Sequence, residues 1–177
     1  FYFGKPTPFD EEAENACTNK IFECTSKIKN NIAISINKNK KQHQANLRII
    51  KDVKDRLKNI APEDIFIKFQ EAVDKHDSVQ CIYLLDDSGI QIGPTVSGST
   101  SNKLKKNHFF RPADETDDHS LKDYFYYISY LGLDKFYTNP YISLASGQLC
   151  RTVSFRTNFG DKYFIVCIDF LEQENEA

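Results

Sequence analysis

From Asp10 onward apolar residues recur at steps of three and four: Ala13, Ala16 or Cys17, Ile21, Cys24, Ile28, Ile32 and Ile36. That spacing predicts one long helix with a single apolar stripe, opened by Asp10-Glu11-Glu12, whose charge suits a first turn. Residues 37–44 (NKNKKQHQ) are polar and basic and read either as a solvated part of that helix or as a loop. A second stripe, Leu47, Ile50, Val53, Leu57 and Ile60, closes at Pro62. Residues 61–64 then open a shorter helix carrying Ile65, Phe66, Phe69 and Val73, and residues 1–9, with two prolines and a glycine, form an irregular lead-in.

Beyond residue 78 the pattern shortens. Residues 79–85 (VQCIYLL) predict a buried strand, Asp86-Asp87-Ser88-Gly89 a hairpin turn, and residues 90–96 the return strand. Residues 97–120 are polar apart from Phe109-Phe110, and a loop of that length in a compact domain is usually functional or mobile. Residues 123–170 organise the chain. An aromatic helix (Tyr124, Phe125, Tyr127, Ile128, Leu131) breaks at Gly132. Three extended runs follow: 137–144, which contains Asn139-Pro140, then 149–157, then 163–170, separated by turns at 145–147 and 158–161. The expected fold is α+β, a single domain over 1–177. A helical region spans 10–60, and a sheet core spans 79–170 around the 97–120 loop. The central antiparallel sheet has about five strands, with the long helix on one face.

A tight hairpin pairing Asn158 with Asp161 predicts two unlike faces. One carries Leu149, Arg151, Val153, Phe155 and Thr157 opposite Phe170, Ile168, Val166, Phe164 and Lys162, apolar enough to receive the helix. The other carries Cys150, Thr152, Ser154 and Arg156 beside Tyr163, Ile165, Cys167 and Asp169, and is polar enough to line a small-molecule pocket.

Composition narrows the function classes. A net charge of −2 argues against a general nucleic-acid binder. No apolar run approaches the roughly 18–20 residues of a membrane span. The absence of methionine predicts a fragment or processed chain, any membrane anchor lying outside it. Five cysteines, an odd number, leave at least one thiol free or paired to another molecule. Cys17 and Cys24, about 10 Å apart on one helix face, are too distant for a mutual disulfide. Cys150 and Cys167 are the best candidate pair, as diagonal neighbours that a register shift or bulge would have to bring together. No cysteine or histidine has zinc spacing, so no metal site is expected.

Nor is catalysis expected here. His43, His76, His108 and His119 sit in polar segments that read as exposed, and no glycine-rich phosphate loop or GxSxG elbow is present.

The runs KDYFYYIS, LDKFYTNPYISLASGQLCRTVSF and GDKYFIVCIDF, after the IYLLDDSGIQI hairpin and the long helix, resemble the Cache (PDC, extracellular PAS-like) sensor domains. The similarity is greatest to those preceding diguanylate cyclase or cyclic-di-GMP phosphodiesterase (GGDEF/EAL) modules; others precede histidine kinases or chemoreceptor signalling regions. The resemblance implies a PAS-like fold, the extracytoplasmic, periplasmic part of an inner-membrane signalling protein. It also implies a small organic ligand between the sheet and the loop and helix that cover it, and dimerisation through the long helix; no cofactor is expected.

The family's Arg-x-Trp-Tyr pattern aligns with Lys122, Asp123, Tyr124 and Phe125, and its Asp-Pro-Tyr-x-Asp pattern with Asn139, Pro140, Tyr141, Ile142 and Ser143. The guanidinium is thus replaced by an ammonium and both acids are neutral. This makes an anion held by Lys122 or Arg111 the expected ligand group. The ligand-binding residues expected are Arg111, Lys122, Tyr124, Tyr127, Tyr137, Tyr141, Ser143 and Thr152. The competing expectation is a ligand-free module for dimerisation or protein interaction.

Overall fold

The computed structural model describes residues 11–98 and 111–172. The lead-in of residues 1–9, the Phe109-Phe110 knot and His108 lie outside the described residues. Helix α1 (Glu11–Arg56) runs without a break through the basic stretch at 37–44, and so decides between the two expectations for it. Asn59 takes a left-handed conformation (φ 56°) just beyond the end of α1, a geometry asparagine tolerates better than most residues. Pro62 then starts a single 3-10 turn (Pro62–Asp64) leading into α2 (Ile65–Lys75).

Two compact units divide between Leu47 and Arg48. In the first, the helix surface carries Ile21, Phe22, Ile28, Ile32 and Ile36, all solvent-exposed. The second contains the last turns of α1 and everything after them.

Six strands form one antiparallel sheet: β1 (Val79–Leu85), β2 (Gln91–Ser97), β3 (Lys135–Tyr137), β4 (Tyr141–Ile142), β5 (Leu149–Phe159) and β6 (Lys162–Leu171). Their order is β2-β1-β6-β5-β3, with the two-residue β4 also paired to β5. The run predicted over 137–144 is therefore two short strands. Its break is fixed by Thr138, whose N–H donates to the Thr152 carbonyl (3.0 Å) while its hydroxyl accepts from the Thr152 N–H (3.0 Å), and by Pro140, which has no N–H to offer a ladder.

The β5–β6 hairpin corrects the expected register. Phe159 pairs with Lys162 around a two-residue Gly160-Asp161 loop, and Gly160 supplies the positive φ (61°) that such a loop requires. Phe155 thus faces Val166 rather than Phe164, and Thr152 faces Asp169. The slip is two residues, so every side chain keeps its predicted face. It does, however, move Cys150 (opposite Leu171) four residues along the ladder from Cys167 (opposite Ser154). At about 3.3 Å per residue that is far beyond disulfide reach. All five cysteines are free.

One sheet face is closed by the end of α1 and by α2. Ile49, Ile50, Val53 and Leu57 join Ile65, Phe69, Ala72 and Val73 over Ile82, Leu84, Val153, Phe155, Val166, Ile168 and Phe170, all buried. Charge locks the two helices together. Asp52 receives Arg56 Nε (3.0 Å), Lys75 Nζ (3.0 Å) and His76 Nε2 (3.0 Å), while Arg56 Nη1 reaches Glu71 (2.7 Å). Partial burial opposes its ionised form, but the hydrogen bonds from His76, Lys75 and Arg56 hold the Asp52 carboxyl well below its ordinary range.

Candidate functional site

The other face is partly open. Helix α3 (Asp123–Ser129) covers one end of it, packing Tyr124, Phe125 and Ile128 onto Cys81, Tyr83, Leu85, Ile165 and Cys167. Polar side chains of β5 fix the helix there. Ser154 Oγ donates to the Tyr124 carbonyl (2.6 Å), and Arg156 Nη2 donates to the carbonyls of Ile128 (3.0 Å) and Ser129 (3.3 Å) at the helix's C-terminal end, where orphan carbonyls favour a cation. The alternating polar positions of β5 thus include the groups that hold the cover in place.

Beside α3 lies a cavity of about 510 Å³. Its walls come from β1 (Cys81, Tyr83), β2 (Thr95), the segment 111–124, the 138–145 connection and β6 (Asp169). The buried carboxyl of Asp169 takes Thr152 Oγ1 on one oxygen (2.7 Å) and the Cys81 thiol on the other (3.4 Å). Because Thr152 spends its only proton there, the 2.6 Å contact between Tyr141 and Thr152 is a bond donated by Tyr141. Burial pushes the Asp169 carboxyl up to about 6, against the hydrogen bonds that favour its ionised form. Burial likewise raises the phenols of Tyr83, Tyr124 and Tyr141, so they remain neutral donors.

His119 enters from the side. Gly89 makes this possible: its φ is 88°, and a Cβ there would sit 2.8 Å from the Ser120 Cα. With no side chain in the way, the His119 N–H donates to the Gly89 carbonyl (2.8 Å) and Ile90 bridges Asp118. His119 is 8% exposed, with Nδ1 2.6 Å from the Tyr124 hydroxyl and the ring 5.5 Å from that of Tyr83. The expectation of an exposed His119 is therefore corrected; backbone pairing of the loop with the hairpin turn carries the ring inward. Burial lowers its affinity for a proton, so the ring is neutral.

Of the eight residues expected at the site, Arg111, Lys122, Tyr124, Tyr141 and Ser143 line the cavity. Thr152 is fully buried and reaches the cavity only through Asp169 and Tyr141. Tyr137 pairs with Val153, so strand alternation turns it to the helix-covered face, where it packs on the apolar core. Tyr127 stacks on Phe136 (4.3 Å between ring centres, 12° between planes). Sequence reasoning put Asp169 on the pocket-lining face without naming it a ligand contact, read His119 as exposed, and passed over Cys81 and Tyr83. A lone acid within the apolar run IVCIDF was the available signal for Asp169.

No model of a known protein family matches the sequence, and no curated protein does. Solved structures do. The Bacillus subtilis YkuI protein, which has an EAL domain and was solved with cyclic-di-GMP and calcium, is 19% identical at a TM-score of 0.52, over 97% of this chain and 40% of its own. The sensory domain of the Campylobacter jejuni chemoreceptor Tlp3, solved with isoleucine, is 15% identical at a TM-score of 0.51, over 75% of this chain and 53% of its own. The fold is the α+β, PAS-like one of the Tlp3 sensory domain. The chain spans about half or less of each of these structures. Helix α3 and the 111–122 segment cover the sheet, and the cavity lies beneath that cover.

Proposed function

We propose that this chain is the ligand-sensing domain of a signal-transduction protein and that it binds a small organic molecule in the Asp169 cavity. The observation that carries the reading is a buried carboxylate among three neutral tyrosines in a cavity of about 510 Å³. An ionised carboxyl held away from water is costly unless a partner arrives, so Asp169 is suited to a protonated amine or another strong donor of the ligand. The tyrosine rings add the faces a cation favours. The isoleucine in the Tlp3 sensory domain is consistent with a ligand of that size. Lys122 and Arg111, also on the cavity wall, suit an anionic group elsewhere on the same molecule.

In this reading the residues at work are Asp169, Tyr83, Tyr124 and Tyr141, with Lys122, Arg111 and Ser143 around them, and catalysis belongs to an output domain beyond this chain. The parent protein would be membrane-anchored with this domain outside the cytoplasm, a single sensor module over 1–177. Its exposed α1 positions Ile21, Ile28, Ile32 and Ile36 would pair two copies and carry the signal toward the membrane.

A thermal-shift screen with amino acids, amines, small carboxylates and purines tests the reading. A ligand at 100 times its dissociation constant adds about 2.7 kcal/mol, a rise of several degrees in Tm. The Asp169→Asn protein should lose the response. A hit whose shift survives that substitution would move the ligand elsewhere, and no hit at all would favour a module that works by dimerisation alone.

A further inference from the structure

Among the described residues His119 is the one histidine on the cavity wall, and only one of its nitrogens is accounted for. Nδ1 engages the Tyr124 hydroxyl, whereas Nε2 is buried and has no hydrogen-bond partner among the described residues. A neutral imidazole needs a partner at both nitrogens, one donating and one accepting, and leaving a buried one unmet costs on the order of 1–3 kcal/mol. Of the other polar groups buried near it, Tyr124 engages His119 itself, Tyr83 engages Tyr124 and Cys167, and Thr152 and Cys81 are committed to Asp169. Lys122, three residues on, and Arg111 also line the cavity, and both are cations that suit ligand oxygens.

We infer that His119 is a specificity-determining ligand contact, whose Nε2–H donates to a carboxylate or carbonyl oxygen of the bound molecule. The Tyr124 hydroxyl then donates to Nδ1, which fixes the tautomer that leaves the proton on Nε2. This rests on the cavity being the ligand site, but it names a different chemical group from the amine assigned to Asp169. Together the two require a ligand with a donor at one point and an oxygen acceptor at another. Gly89 has a positioning role, because the backbone bond that carries His119 inward ends on its carbonyl.

Fragment titrations followed by NMR separate the two assignments, with acetate as the oxygen probe, methylammonium as the amine probe, and sodium chloride at matched ionic strength as the control. Acetate should shift the His119 ring signals of the native protein and leave an Nε2-protonated pattern in long-range proton–nitrogen spectra. His119→Phe, which keeps the ring but loses the donor, should weaken acetate about tenfold, while His119→Gln, which restores an N–H, should recover most of that loss. Methylammonium should bind all three histidine forms alike and fail only with Asp169→Asn. Acetate that leaves the His119 signals of the native protein unmoved would overturn the assignment, even if neither variant folds. So would equal acetate affinity in the Phe variant. Loss of methylammonium binding with retained acetate effects would instead overturn the amine reading and leave His119 standing.

Discussion

The two faces of one sheet are built from the same strands and do opposite work. On the helix-covered face Val153, Phe155, Val166, Ile168 and Phe170 are fully buried in an apolar cluster against α1 and α2. On the other face Thr152, Ser154 and Asp169 are just as buried but polar. Their hydrogen bonds run to a cover and into a cavity. The first face stabilises the fold by removing apolar surface from water. The second gives up part of that stabilisation to keep a charged group and an open volume. The lesson is that burial alone does not locate the core; what the buried groups are bonded to does.

The difference can be broken at its strongest point by Phe155→Ala. Removing a fully buried ring from the covered face should cost about 3–5 kcal/mol in urea unfolding. A loss below about 1 kcal/mol would mean that this face is not the packed core.

Asp169→Asn should act with the opposite sign. A carboxyl raised to about 6 binds its proton more tightly folded than unfolded, so stability is highest below about pH 4 and declines as pH rises through 6. At pH 7 the accumulated cost is about 3 kcal/mol. The Asn protein should therefore be more stable than the native one at pH 7.5, by about 2 kcal/mol, and no more stable at pH 4. If the variant proved weaker at pH 7.5, Asp169 would be a structural anchor rather than a held charge. By the same sign, a cationic ligand should bind more tightly as pH rises from 5 to 7, which calorimetry at the two pH values would read.

Asp52→Asn probes the rim of the covered face, where charge rather than packing joins α1 to α2. The carboxylate is partly solvated, so its bonds to Arg56, Lys75 and His76 are worth about 1 kcal/mol. Because this carboxyl is depressed, the loss should be full above about pH 4 and vanish as pH falls below that. Smallest of all, Leu144→Ser at the cavity wall should change stability by less than about 0.5 kcal/mol, since the side chain is already 72% exposed. A larger loss would show that the cavity mouth is closed by packing.

Much of this was legible in the chain. Period-two alternation assigned Val153, Phe155, Val166 and Ile168 to one face and Thr152, Ser154 and Asp169 to the other, and that assignment survived a two-residue error in register because side-chain direction depends only on parity. The resemblance drew attention to Lys122, Tyr124, Tyr141 and Ser143, which do line the cavity. Tyr137 was misplaced for want of one pairing: opposite Val153 it faces the helices, and only the β3–β5 register reveals that. Tyr127 shares a short aromatic helix with Tyr124, and Phe136 of the next strand takes its ring.

What the sequence determined by itself is local and periodic: the helices, the hairpins, the two-faced sheet and the polar character of one face. Those follow from spacing along the chain, which a single sequence displays in full. Only the tertiary structure decided that Asp169 meets Thr152 and Cys81, that His119 turns inward over Gly89, and that β5 pins α3 above an open volume. These depend on groups that lie 17, 88, 30 and 30 residues apart or on a loop docking where a glycine leaves room. No short-range pattern encodes such distances, because they are set by how the whole sheet closes.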